Sequence, residues 1–154
     1  MLIKTILFLF GRGIKSAYKL DSFAREHFEE LPDNHKVKLK GFNNACLVFW
    51  KDNGKIYTRL GKKAILTDAE IEISFKTKKA ACMVLTGRRS IADGYARHDI
   101  FIDGDIFLTL PVMRVFEIVV CYLLPKFMTE KLFYELPQRS KSKFRFYLKV
   151  LFNI

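Results

Sequence analysis

Between residues 106 and 124 the chain reads IFLTLPVMRVFEIVVCYLL, a run in which Arg114 and Glu117 are the only charged residues. Such a run approaches the ~20 apolar residues that cross a bilayer. A charge near the middle of a span costs roughly 2.5–3.5 kcal/mol on insertion scales, however, and here there are two. They stand three apart, so on a helix they share one face, where they can pair or point to water. The run is therefore read as a core helix with a narrow polar stripe, and the rest of the chain must supply the layer that covers it. Pro111 is tolerated in a first turn, so the helix is expected to begin close to Leu110.

The periodicity on the N-terminal side of this helix supplies that layer. Residues 1–30 place Ile3, Ile6, Leu7, Phe10, Ile14, Ala17 and Tyr18 at helical spacing, with a possible break at Gly11 and Gly13 and a stop at Pro32. Asp21 is placed to cap a second helical piece. From residue 36 the period drops to two. KVKLK alternates, ACLVFWKD is an apolar strand, Asn53-Gly54 is a hairpin turn into KIYTRL, and AEIEISFK sets Ile71, Ile73 and Phe75 on one face. TKKAACMVLTG returns to helix and stops at Gly87, RRSIADGYARHD is a polar connection or short helix, and DIFID offers a last strand. Strands and helices are segregated, which predicts an α+β fold with helices covering one face of a mainly antiparallel sheet. Residues 1–125 are read as the domain and residues 126–154 as a basic helical tail.

Charge is unevenly spread. The formal net charge is +11. Residues 36–63 hold eight Lys and Arg against one Asp, and residues 126–154 hold seven against two Glu, while the hydrophobic middle is nearly balanced. Anionic surfaces, phosphodiester or lipid, are the partners this implies. Cys46, Cys82 and Cys121 are odd in number and flanked by apolar residues, which reads as packing in a reducing compartment. The start imitates a signal peptide, but its apolar run from Ile6 to Phe10 falls short of the ~7–15 residues required. A cytoplasmic protein is expected.

DAEIEISF, then a helix, then GYARHDIFIDGDIFLTLPVMRVF resembles the sterol carrier protein type two domain family, with Asp68, Ile71, Ile73, Ser74, Gly87, Ala96, Ile100, Ile102, Gly104 and Asp105 at the matching positions. The resemblance covers about residues 10–125 and is strongest from 68 to 116. The stretch TGRRSIADGYARHD is more basic than the family pattern, and residues 126–154 fall outside it. The resemblance implies a five-stranded sheet with helices on one face, enclosing an apolar tunnel for a lipid, a sterol or an isoprenoid-quinone intermediate. It also implies a role in lipid transfer or as an accessory to ubiquinone biosynthesis, with enzymes of lipid or quinone metabolism as partners. Candidate ligand-binding residues are Phe75, Met83, Phe107, Leu110, Met113, Phe116 and Val120, which would serve both packing and cavity.

In the tail, RSKSKFRFYLKVLF sets Phe144, Tyr147, Leu148 and Leu151 at helical spacing, with Lys141, Lys143, Arg145 and Lys149 elsewhere on the helix. That is the composition of an interfacial helix drawn to anionic lipid, so Lys141, Lys143, Phe144, Arg145, Tyr147 and Lys149 are candidate membrane contacts and peripheral membrane association is expected. The rival reading is RNA or single-stranded nucleic acid on the basic strands 36–63, where Phe42, Phe49, Trp50 and Tyr57 interleave with Lys and Arg. His27, His35 and His98 show no metal-ligand spacing. Ser90, His98 and Asp103 lack the turn that presents a nucleophile. No catalysis, metal or cofactor is expected.

Overall fold

The computed structural model describes residues 2–133 and 135–152. Two helices open the chain: α1, Leu2–Leu20, and α2, Ser22–Glu29. Three antiparallel strands follow: β1, Val37–Lys40; β2, Cys46–Asp52; and β3, Lys55–Leu60. Next come a single helical turn, α3, Lys62–Ile65; strand β4, Ile71–Phe75; helices α4, Lys78–Leu85, and α5, Ile91–Ala96; and strand β5, Ile100–Asp103. Helices α6, Ile106–Leu123, α7, Lys126–Leu132, and α8, Lys143–Phe152, complete it.

The sheet order is β3-β2-β1-β4-β5. Its one parallel pair is β1 with β4, Val37 opposite Ile71; the other three pairs are antiparallel. This is the α+β, mainly antiparallel sheet that the change of period from 3.6 to two announces, with the five strands that the resemblance implies. Alternation assigns the faces. Val37, Leu39, Leu47, Phe49, Ile71 and Ile73 point into the main core, which α1, α2, α4, α6 and α8 cover. Cys46, Val48 and Trp50 point the other way and meet Ala64 of α3, so the second face carries a small apolar cluster of its own.

Helix α1 is continuous through Gly11 and Gly13, where a break was expected. A Cβ on Gly11 would stand 3.1 Å from Leu47 Cδ1, and one on Gly13 would stand 2.9 Å from Val119 Cγ1. The glycines thin the helix where it is wedged between sheet and α6, and that packing outweighs their weak helix propensity. Phe10 and Phe49 both meet Phe116 of α6, with ring centroids 5.1 and 5.8 Å apart.

Helix α6 begins at Ile106, one turn earlier than the proline argument placed it. The Asp105 carboxylate accepts from the N–H of Phe107 at 2.8 Å, and the Thr109 hydroxyl donates to the Asp105 carbonyl at 2.7 Å. A capping Asp fixes the start more strongly than Pro111 does. The proline therefore lies inside the helix, where the Phe107 carbonyl receives no bond from it. Half of α6 is buried, against α1, α2 and α8. It is the one helix among the described residues long and apolar enough to cross a membrane, and here it serves as the central helix of the core. Arg114 and Glu117 make no ion pair with each other; Arg114 is exposed and Glu117 half-buried.

Candidate functional site

An open groove of about 320 Å³ runs between α5, the end of β5 and the first half of α6. The wall made by α5 follows from local chemistry. Ser90 caps the helix, accepting from the N–H of Asp93 at 3.1 Å, and Arg89 pairs with Asp99 and with Asp93, the latter at 3.4 Å. Gly94 lets α5 lie against β5, since a Cβ there would come within 2.9 Å of Ile100 Cδ1. Ile102 supplies the strand side, and Ile106, Leu110, Met113 and Glu117 form a stripe along α6. At the mouth Tyr95 is 52% exposed, Leu110 56% and Ile106 63%, so the groove opens among large apolar side chains that face solvent.

Behind Ile91 and Met113, which line both spaces, lies a second apolar space between sheet and helices of about 20 Å³, bordered by Phe10, Phe75, Phe116 and Val120. A single water needs roughly 10–15 Å³. The inner space is thus about large enough for one water, and the larger apolar space lies outside it, with Ile91 and Met113 between the two.

The candidate ligand residues separate accordingly. Phe75, Met113, Phe116 and Val120 surround the inner space, and Leu110 and Met113 line the groove. Met83 is half-buried on α4 and borders neither. Phe107, in the turn that the Asp105 cap adds to α6, is 79% exposed and also borders neither. The residues missed from the sequence are Ile91, Tyr95, Ile102, Ile106 and Glu117. For the α6 members a signal existed: 106, 110, 113 and 117 recur at i, i+4, i+7 and i+11, one continuous stripe. Glu117 is desolvated, which pushes its carboxyl above the ordinary range, opposed by the charge of Arg114.

The tail is tied to the body of the protein. The fully buried Asp21 carboxylate caps α2 through the N–H of Ala24 (3.0 Å), accepts from the N–H of Ser140 (2.9 Å) and accepts from the Tyr122 hydroxyl. Tyr122 stacks on Phe146 of α8 at 4.2 Å. Three tail side chains satisfy the otherwise orphaned carbonyls at the end of α6: Arg139 on Cys121 at 3.4 Å, Tyr147 on Leu123 at 3.1 Å and Lys143 on Leu124 at 2.6 Å. Of the candidate membrane contacts, Lys143 and Tyr147 are thus turned inward. Lys141, Phe144 and Arg145 are exposed, Lys149 is half-buried, and Phe144, Leu148, Leu151 and Phe152 form an apolar strip facing outward, Phe144 being 71% exposed. The packed strip is instead Phe146 and Val150.

On the basic strands, Phe49 is in the core and Trp50 stacks on Tyr57 at 5.6 Å, with the Arg59 guanidinium 5.1 Å from the Trp50 ring. Lys51 is paired with Glu29 (3.1 Å) and Asp33 (3.5 Å), and Lys38 and Lys40 both pair with Glu72. Three of the eight basic side chains in this block are therefore engaged in ion pairs with other described residues. Burial pushes the Cys121 thiol up to about 11, as suits a packing residue. Among the described residues no group of three or more His, Cys, Asp or Glu is placed to hold a metal ion.

Helices thus cover the sheet of an α+β domain, and an open, largely apolar groove lies at one end of it. No protein-family profile matches the chain, and no curated protein matches it. Among solved structures it is similar to one described as a UbiJ-SCP2 ubiquinone synthesis protein, with a TM-score of 0.43 and 10% identity over 62% of this chain and 73% of that one.

Proposed function

We propose that the protein is a non-catalytic carrier that holds one hydrophobic small molecule, a lipid or an isoprenoid-type compound, in the groove between α5, β5 and α6. The observation that carries the reading is the groove itself: about 320 Å³, walled by aliphatic and aromatic side chains, open to solvent, with Ile106 and Leu110 exposed at its mouth. That volume lies at the lower end of the ~300–1,000 Å³ of small-molecule sites. A ligand would seat one end against Met113 and lay the remainder along Ile106. Rotation of the flexible Met113 side chain would let it reach toward Phe75, Phe116 and Val120.

Transfer of such a ligand needs a membrane, and α8 supplies the complementary surface. Its outward strip of Phe144, Leu148, Leu151 and Phe152 is flanked by Lys141, Arg145 and Lys149, a pairing suited to anionic headgroups above and acyl chains below. The test is native mass spectrometry of the purified protein followed by organic extraction. A stoichiometric lipid or quinone supports the carrier; co-purifying RNA or an empty groove that takes up no added lipid overturns it.

A further inference from the structure

The groove has a polar end, where Thr109 and Glu117 line it. Thr109 gives its hydroxyl proton to the Asp105 carbonyl at 2.7 Å, so it has none to offer a ligand. Tyr95 stands at the exposed mouth. One helical turn beyond Met113 is Glu117, half-buried, with no hydrogen bond or ion pair to its carboxylate among the described residues. Arg114 acts on it only at a distance. That guanidinium lies instead along a separate depression, with His27 of α2 and Glu135 of the segment leading to α8, which Glu117 also borders.

On its groove side this half-buried carboxylate faces the aliphatic side chains of Met113 and Leu110, and it has no hydrogen-bond donor among the described residues. A ligand that brings an O–H into the groove supplies one, in a charge-assisted hydrogen bond. A ligand that brings a second anion meets like-charge repulsion from Glu117. We propose that Glu117 is the polar anchor of the groove and selects uncharged, hydroxyl-bearing hydrophobic molecules, alcohols or phenols, over anionic amphiphiles such as fatty-acid carboxylates. This rests on the groove being the ligand site. The chain of the bound molecule runs outward past Met113 and Leu110, so that head and tail are both defined by the α6 stripe.

The test uses the full chain and N-phenyl-1-naphthylamine, an uncharged fluorescent reporter of apolar sites, displaced by either 1-dodecanol or dodecanoate at about pH 8, where the acid is ionised. Dodecanol should displace the reporter at about tenfold lower concentration than dodecanoate, the discrimination expected of one charge-assisted hydrogen bond against one like-charge contact. Glu117→Gln, which removes the charge and adds an N–H donor, should bring the two competitors to within about threefold of each other. Equal displacement in the unmodified protein, or an unchanged ratio in the variant, overturns the role of Glu117 and leaves the groove standing. Failure of both competitors, with reporter fluorescence indifferent to Leu110→Arg, removes the groove reading and the selection with it.

Discussion

Replacing Asp21 with Ala attacks a side chain that fastens three separate parts of the fold. Its carboxylate is fully buried and engages the N–H of Ala24, the N–H of Ser140 and the hydroxyl of Tyr122. Loss of the helix cap alone costs about 0.5–2 kcal/mol. Each donor left buried without a partner adds about 1–3 kcal/mol, and there are two, although Ser140 lies near the surface and can recover water. A total of about 3–5 kcal/mol is therefore expected, which at ~2–4 °C per kcal/mol for a chain of this size lowers Tm by about 6–20 °C. Urea unfolding followed by circular dichroism measures the loss. Limited proteolysis should show accelerated cleavage between α7 and α8, because the tail is released before the sheet. Destabilisation below about 1 kcal/mol, or no change in cleavage there, would refute the view that a single carboxylate joins α2, α6 and the tail.

Three further outcomes follow from the structure. Met113→Trp fills the partition between groove and inner space, so reporter binding should fall by about tenfold or more while Tm shifts only modestly, by an overpacking cost of about 1–3 kcal/mol; intact binding would show that Met113 does not border the ligand. Lys141, Arg145 and Lys149 together replaced by Gln should weaken sedimentation with phosphatidylserine-containing vesicles by about 1 kcal/mol per residue, with no loss on uncharged vesicles because none is gained there. Unaltered binding to the anionic vesicles would move the membrane surface away from α8. Burial, then the hydrogen bond to Asp21, holds the Tyr122 phenol well above its ordinary value of 10.0. The folded state keeps a proton that the unfolded chain surrenders, so this contribution is constant below pH 10 and is lost as the pH rises beyond it. The stability difference between the unmodified protein and Tyr122→Phe should accordingly narrow above about pH 10; a difference that stays constant would mean the phenol is not shielded.

The sequence by itself determined most of the elements and the main layer of helices on one sheet face, α3 on the second face being outside its reading. The alternation in KVKLK and AEIEISFK, the Asn53-Gly54 turn (φ of 47° and 70°) and the long apolar run are local patterns, and β1, β2, β3, β4 and α6 form where those patterns lie. Local reasoning failed at α6's start because two signals competed at one helix end, the cap of Asp105 and the ring of Pro111, and their relative strength is not written in the spacing. It failed at Gly11 and Gly13 because only the positions of Leu47 and Val119 show that a missing side chain is needed there.

Tertiary structure alone decided where the open space lies. Residues on one helix can be assigned to a stripe from their numbers, yet whether the stripe meets a sheet, a neighbour or solvent depends on the docking of elements far apart in sequence. For α6 the sheet side closed to about 20 Å³, while α5, held by Arg89, left about 320 Å³ beside it. The tail obeyed the same limit. Its composition marked it as amphipathic and basic, but Phe146 and Val150 won the packed side over Phe144, Leu148 and Leu151 because Tyr122 and the carbonyl end of α6 hold Phe146, Lys143 and Tyr147. Hydrophobicity fixes how much surface a helix buries; the partners that meet it fix which surface that is.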